Sequence, residues 1–157
     1  MTLYFMLKFL HLIGAAVLLG TGAGIAFFML RAHLTGDPAV IAAVARIVVL
    51  ADFLFTATAV VAQPLTGIAL ALQGGYSLNE SWIVVSAGLY VLTGGFWLPV
   101  VWMQTQMRKL AAASATEGKG LPVRYYILFR IWFGFGFPAF GAVMAIFWLM
   151  ISRPSIW

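Results

Sequence analysis

The chain is 157 residues long, 64% hydrophobic and only 8% charged, with a mean hydropathy of +1.04. Soluble domains carry about a quarter of their residues as charges, so this composition excludes a water-soluble enzyme and points to lipid as the solvent. The net charge of +5 is no sign of a nucleic-acid partner, because the basic residues flank apolar runs, where they set topology and meet anionic lipid. Cysteine is absent, which removes disulfides, thiolate catalysis and iron–sulfur centres. Two histidines and four acidic residues leave a small stock of metal ligands.

In chain order the apolar runs predict four transmembrane helices, over residues 4–30, 47–72, 82–106 and 126–150, each near the roughly 20 residues a bilayer requires. The first run is too long for a cleaved signal and passes straight into Arg31. The connection 31–38 carries Gly36, Asp37 and Pro38, which are turn residues. A second loop, 73–80, contains Gly74 and Gly75. The third and longest loop carries Glu117, Lys119, Pro122 and Arg124. The fold expected is therefore all-α: a single integral membrane domain, 1–157, built as a four-helix bundle.

Basic residues give the orientation. The first and third loops with their flanks hold Arg31, Arg46, Arg108, Lys109, Lys119, Arg124 and Arg130, whereas the N-terminus, second loop and C-terminus hold only Lys8 and Arg153. The positive-inside rule then puts both termini on the outer, periplasmic side of a bacterial cytoplasmic membrane. Trp82, Trp148 and Trp157 fall at the outer interface as an aromatic belt.

Ionisable groups inside a span cost about 2.5–3.5 kcal/mol on insertion scales, so each calls for a reason. His11 lies about two turns into the first span, sharing a helix face with Ala15, Leu18, Gly22, Ile25 and Met29. It is either an interhelical hydrogen-bond donor or an axial ligand to haem iron. Lys8 is close enough to the interface to snorkel. His33 reads as a solvated residue of the first loop. Asp52 lies within the second span at a depth similar to Arg46 and Arg130; a structural ion pair with one of them lowers the cost of burial, and a proton relay is the alternative. Gln63-Pro64, Pro99 and Pro138 bend their helices and free backbone carbonyls.

The fourth span alternates small and flat residues, Gly134-Phe135-Gly136-Phe137-Pro138, which suits close helix packing or the wall of a porphyrin pocket. Gly20 and Gly24 offer a close-packing face for a second copy. The seven methionines are scattered, which gives metal transport through them little support.

Three segments resemble a bacterial family of predicted integral membrane proteins, the domain-of-unknown-function family 2269: Leu10-His11-Leu12-Ile13-Gly14, the run Gly95-Phe96-Trp97-Leu98-Pro99 through Gln104, and Phe137-Pro138-Ala139-Phe140 through Met150. The layout is also distantly similar to HemJ-type protoporphyrinogen oxidases and CopD-like membrane proteins. That likeness implies haem b held by the first-helix histidine, here His11. It also implies a lysine early in the third helix, where this chain has Val85-Ser86-Ala87-Gly88, and an acidic residue two positions before the fourth-helix proline, where it has Gly136. The expectation is a cytochrome-like haem b protein for electron transfer or a membrane redox assembly. His11 would be its axial ligand, Met144 or Met150 a candidate second ligand, and Gly22, Gly134 and Gly136 would make room for the ring. A cofactor-free assembly subunit or small permease, and a HemJ-like oxidase, are the alternatives. Partners expected are the bilayer, a second copy or a redox protein.

Overall fold

A computed structural model describes residues 2–157. It contains four long helices: α1 (Thr2–His33), α2 (Pro38–Gln73), α3 (Ser81–Glu117) and α4 (Val123–Ser152). No strand occurs among the described residues. Each helix is long and apolar enough to cross a membrane, with mean hydropathy between 1.7 and 2.2 over its most apolar stretch. Four spans bring both termini to one end of the bundle; the other is the basic end, where the first and third loops lie.

The helices outrun the expected spans, and the reason is local. Apolar runs mark only what sits in hydrocarbon, about 30 Å deep, whereas the 37 residues of α3 extend about 55 Å at 1.5 Å per residue. The extra turns at the basic end are alanine-rich, and alanine is the best helix former. α2 therefore starts at Pro38 rather than residue 47. Pro38 takes the first helical position, where its missing N–H costs nothing, and the Asp37 carboxylate accepts from the Ala39 N–H at 2.8 Å as an N-cap. α3 runs to Glu117 and stops at Gly118, whose φ of +63° is left-handed; the Lys119 N–H then donates back to the Ser114 carbonyl at 3.0 Å. The third loop shrinks to a few residues. Its Lys119–Glu117 pair, 2.8 Å, is solvent-exposed.

The apolar core occupies the basic half, where Met29, Ile41, Ala45, Met107, Ala111 and Tyr125 are all but sealed. On the outward faces of the helices large apolar side chains such as Phe9, Phe27, Ile47, Leu65, Val91 and Phe137 lie exposed, as lipid-facing residues do. α1 follows α2 throughout, the first half of α2 also lies against α3, and α3 packs along α4. A π-helical turn over Asp52–Thr56 interrupts α2, and beyond it the close packing of α2 is with α1.

Lipid tails are as apolar as leucine, so hydrophobic burial does not hold membrane helices together; packing and polar links do. One such link follows from Pro64. Its nitrogen has no hydrogen to give the Val60 carbonyl four residues back, and the Tyr90 hydroxyl of α3 donates to that carbonyl instead. The C-terminal tail is tied down likewise. Ser81 at the start of α3 donates to the Pro154 carbonyl at 3.2 Å and accepts from the Ile156 N–H at 2.9 Å. Arg153 donates to the Tyr76 hydroxyl and lies over the Tyr76 and Trp82 rings at 5.0 and 5.8 Å.

Candidate functional site

His11 sits half-buried between α1 and the second half of α2. Its Nδ1 is 2.9 Å from the Thr66 hydroxyl, which gives its own proton to the Ala62 carbonyl at 2.8 Å. A hydroxyl has one hydrogen, so with that hydrogen on Ala62 the Thr66 oxygen accepts from His11 in its Nδ1–H tautomer. The lone pair of Nε2 is left available. Gln63, buried on the same face of α2, donates from Nε2 to the His11 carbonyl at 2.9 Å and fixes the backbone beneath the ring. Two glycines let these side chains in. A methyl on Gly67 would stand 3.1 Å from His11 Cε1, and one on Gly14 would stand 2.8 Å from Gln63 Nε2. The helices interlock: the α1 histidine lies over an α2 glycine, and the α2 glutamine over an α1 glycine.

None of Gln63, Thr66, Gly67 or Gly14 stands out as a ligand-positioning residue in the sequence. The signal available was their spacing, since positions i, i+3 and i+4 share a helix face. That makes Gln63, Thr66 and Gly67 a polar and small stripe on an otherwise apolar span.

Gly22, Gly134 and Gly136 are not drawn into close packing; open space surrounds each, with no atom of a neighbour within 4 Å of an added methyl. Gly20 is equally bare, and Gly24 meets only Phe28 of its own helix. Met144 lies exposed on α4 and Met150 half-buried.

The second polar centre is Asp52, 4% exposed and first residue of the π turn. The expected ion pair is not formed. Arg46 and Arg130 are both exposed, and among the described residues the only salt bridge is that of Lys119 and Glu117. Long basic side chains near a helix end reach for the interface, which leaves the carboxyl to neutral partners. The Trp97 indole N–H donates to Oδ1 at 3.2 Å. Gln104, its amide turned to satisfy both neighbours, donates to Oδ2 at 3.3 Å and accepts from the Trp132 indole at 3.2 Å. Asp52, Trp97, Gln104 and Trp132 thus link α2, α3 and α4. The Thr56 hydroxyl, 8% exposed on the same turn, approaches the Asp52 carboxyl and has no other partner.

His33 is not a solvated loop residue. It is the last residue of α1, stacked on Phe129 with ring centroids 3.7 Å apart at 8°, and its Nδ1 is 3.3 Å from the Tyr125 hydroxyl. It lies 22 residues from His11, about 33 Å along a helix, too far to share one metal with it. Among the described residues no group of three or more His, Cys, Asp or Glu side chains converges on a point. The chemistry on offer is a single oriented imidazole near the end of the bundle that bears the termini, and a single carboxyl deep within it.

Four membrane-crossing helices with two isolated polar centres define a small polytopic membrane protein. Residues 5–154 match the family described as "Predicted integral membrane protein (DUF2269)"; the chain belongs to that family. Among curated proteins and among solved structures nothing matches it.

Proposed function

We propose that the chain is a membrane haem b protein, with His11 as axial ligand, serving electron transfer or a membrane redox assembly. The observation that supports this best is the hydrogen bond between His11 Nδ1 and the Thr66 hydroxyl. A ligating histidine characteristically donates its other ring N–H to a fixed acceptor, which sets the tautomer and aims the free nitrogen. In its Nδ1–H tautomer His11 has that arrangement in advance. The donor set fits as well, since haem is held largely by packing of its ring and needs as little as one protein ligand. A chain whose described residues form no cluster of metal-binding side chains can still hold it.

Within this reading Thr66 keeps the proton on Nδ1, Gln63 holds the backbone of His11 in register, and Gly67 leaves space for the ring to turn edge-on to α2. Haem b supplies a one-electron iron couple when bound. The distant likeness to HemJ-type and CopD-like proteins agrees with a first-helix histidine in this role. The same reading puts the termini and His11 toward the outer face of a bacterial cytoplasmic membrane, by the distribution of Lys and Arg. It leaves the unpartnered Gly20/Gly24 face to a second copy or a redox partner.

The test is the absorbance spectrum of protein purified from haem-replete cells. A Soret band is expected, abolished in His11→Ala with helicity by circular dichroism unchanged. Met144→Leu separates six- from five-coordinate iron by its effect on the spin-state bands. A colourless wild-type preparation overturns the reading, and stable co-purifying proteins in that preparation would support the cofactor-free assembly subunit. Because the chain lacks cysteine, Ser77→Cys and Lys119→Cys report orientation directly. An impermeant maleimide applied to intact cells is expected to label the first and spare the second.

A further inference from the structure

Asp52 takes no part in the site at His11, and its surroundings are unusual on three independent counts. First, it has no countercharge. On α1 no titratable residue lies between His11 and Arg31, and on α2 none between Arg46 and the helix end except Asp52 itself. On α3 only Tyr90 titrates before Arg108, and its hydroxyl is committed to the Val60 carbonyl. On α4 none lies between Arg130 and Arg153. Second, both carboxyl oxygens receive N–H donors, from Trp97 and Gln104. Neither donor has a charge of its own. Third, Thr56, one turn along and almost fully buried, holds a hydroxyl within reach of the Asp52 carboxyl and with no other partner.

These features oppose one another in a useful way. Hydrocarbon and the absence of a cation make a permanent charge expensive. Two aimed N–H groups stabilise that charge when it is present. A group held between such influences is suited to exchange. The Thr56 hydroxyl can serve either form, giving its O–H to the carboxylate or receiving one from the acid. The π turn itself widens the helix by one residue, and such turns recur at functional sites. Here it coincides with the level at which α2 parts from α3.

We propose that Asp52 is a proton-exchange site within the membrane, its carboxyl taking up one proton from hydronium and returning it to water, with Thr56 as its hydroxyl partner. The step is an acid–base transfer: one O–H bond forms on Asp52 as one on hydronium breaks, with no change of oxidation state. It stands apart from the haem reading, since it requires nothing bound at His11.

Infrared difference spectroscopy of the full chain in lipid bilayers, titrated with pH, tests it. Wild type is expected to show a carboxylic-acid C=O band that disappears as pH rises. Asp52→Asn is expected to lack it; the other acidic residues, Asp37, Glu80 and Glu117, are exposed and remain in that variant. Asp52→Glu should shift the band without removing it, which keeps the test open where the amide variant fails to fold. Thr56→Val should move the titration midpoint by roughly two- to tenfold in proton concentration, the range of one hydrogen bond. A band that does not titrate, that persists in Asp52→Asn, or that follows sodium concentration at fixed pH overturns the proposal, as does a midpoint indifferent to Thr56→Val.

Discussion

His11 of α1 and Gly67 of α2 are fitted to each other: the imidazole lies where a methyl on Gly67 would come within 3.1 Å of Cε1. The reciprocal fit of Gln63 over Gly14 is tighter, 2.8 Å, yet the two should respond differently to an added methyl. The Gln63 amide is the far end of a flexible side chain and can swing away, losing its bond to the His11 carbonyl. The imidazole is rigid and tethered to Thr66, so it cannot.

Gly14→Ala is therefore expected to cost about 1 kcal/mol, the worth of one hydrogen bond, with His11 still in place. Gly67→Ala should cost more, about 1–3 kcal/mol as overpacking does, and should displace the ring. Thermal unfolding in detergent reads the first difference. On the proposed haem reading, occupancy by absorbance reads the second: near wild type for Gly14→Ala and much reduced for Gly67→Ala. Equal effects of the two on both measurements would contradict the interlock.

The link between Tyr90 and Pro64 lends itself to a double-mutant cycle. Tyr90→Phe strands the Val60 carbonyl and is expected to cost about 1 kcal/mol, between the average of roughly 0.6 for polar contacts in membranes and the 1–2 found in peptides. Pro64→Ala restores a backbone N–H four residues after Val60. In that background Tyr90→Phe should cost clearly less. Additive effects in reversible unfolding from mixed micelles would mean that Tyr90 does not stand in for the missing donor.

The four helices were legible because hydropathy reports directly on what lipid tolerates. The ends were not, because residues 38–46 and 107–117 continue as helix on alanine propensity and caps outside the apolar runs. His11 was legible as an anomaly, since a histidine in a span demands a partner. That partner was not, because Thr66 is polar enough to hydrogen-bond yet ordinary enough in a membrane helix to pass unnoticed. Asp52 misled for a physical reason. Depth along the helix suggested Arg46 and Arg130, but azimuth and side-chain length decide pairing, and both arginines point out while indoles and an amide close in. His33 misled through its neighbours Arg31 and Thr35, which gave it the look of a loop residue when α1 in fact runs as far as His33.

His33 also yields a prediction that separates two contributions at one residue. Its ring lies flat on Phe129 at 3.7 Å, full face contact, whereas its 3.3 Å approach to the Tyr125 hydroxyl is at the long end of hydrogen-bonding distance. Stacking should therefore dominate. His33→Ala is expected to destabilise the basic end by roughly 0.5–1.5 kcal/mol, the worth of an aromatic pair. His33→Phe, which keeps the flat ring but gives up the nitrogen, should recover most of that, and Tyr125→Phe should cost less than His33→Ala. Unfolding midpoints of the three variants, taken with hydrogen exchange at the end of α1, provide the check. If His33→Phe proves as damaging as His33→Ala, the weak hydrogen bond rather than the stack holds the end of α1 against α4.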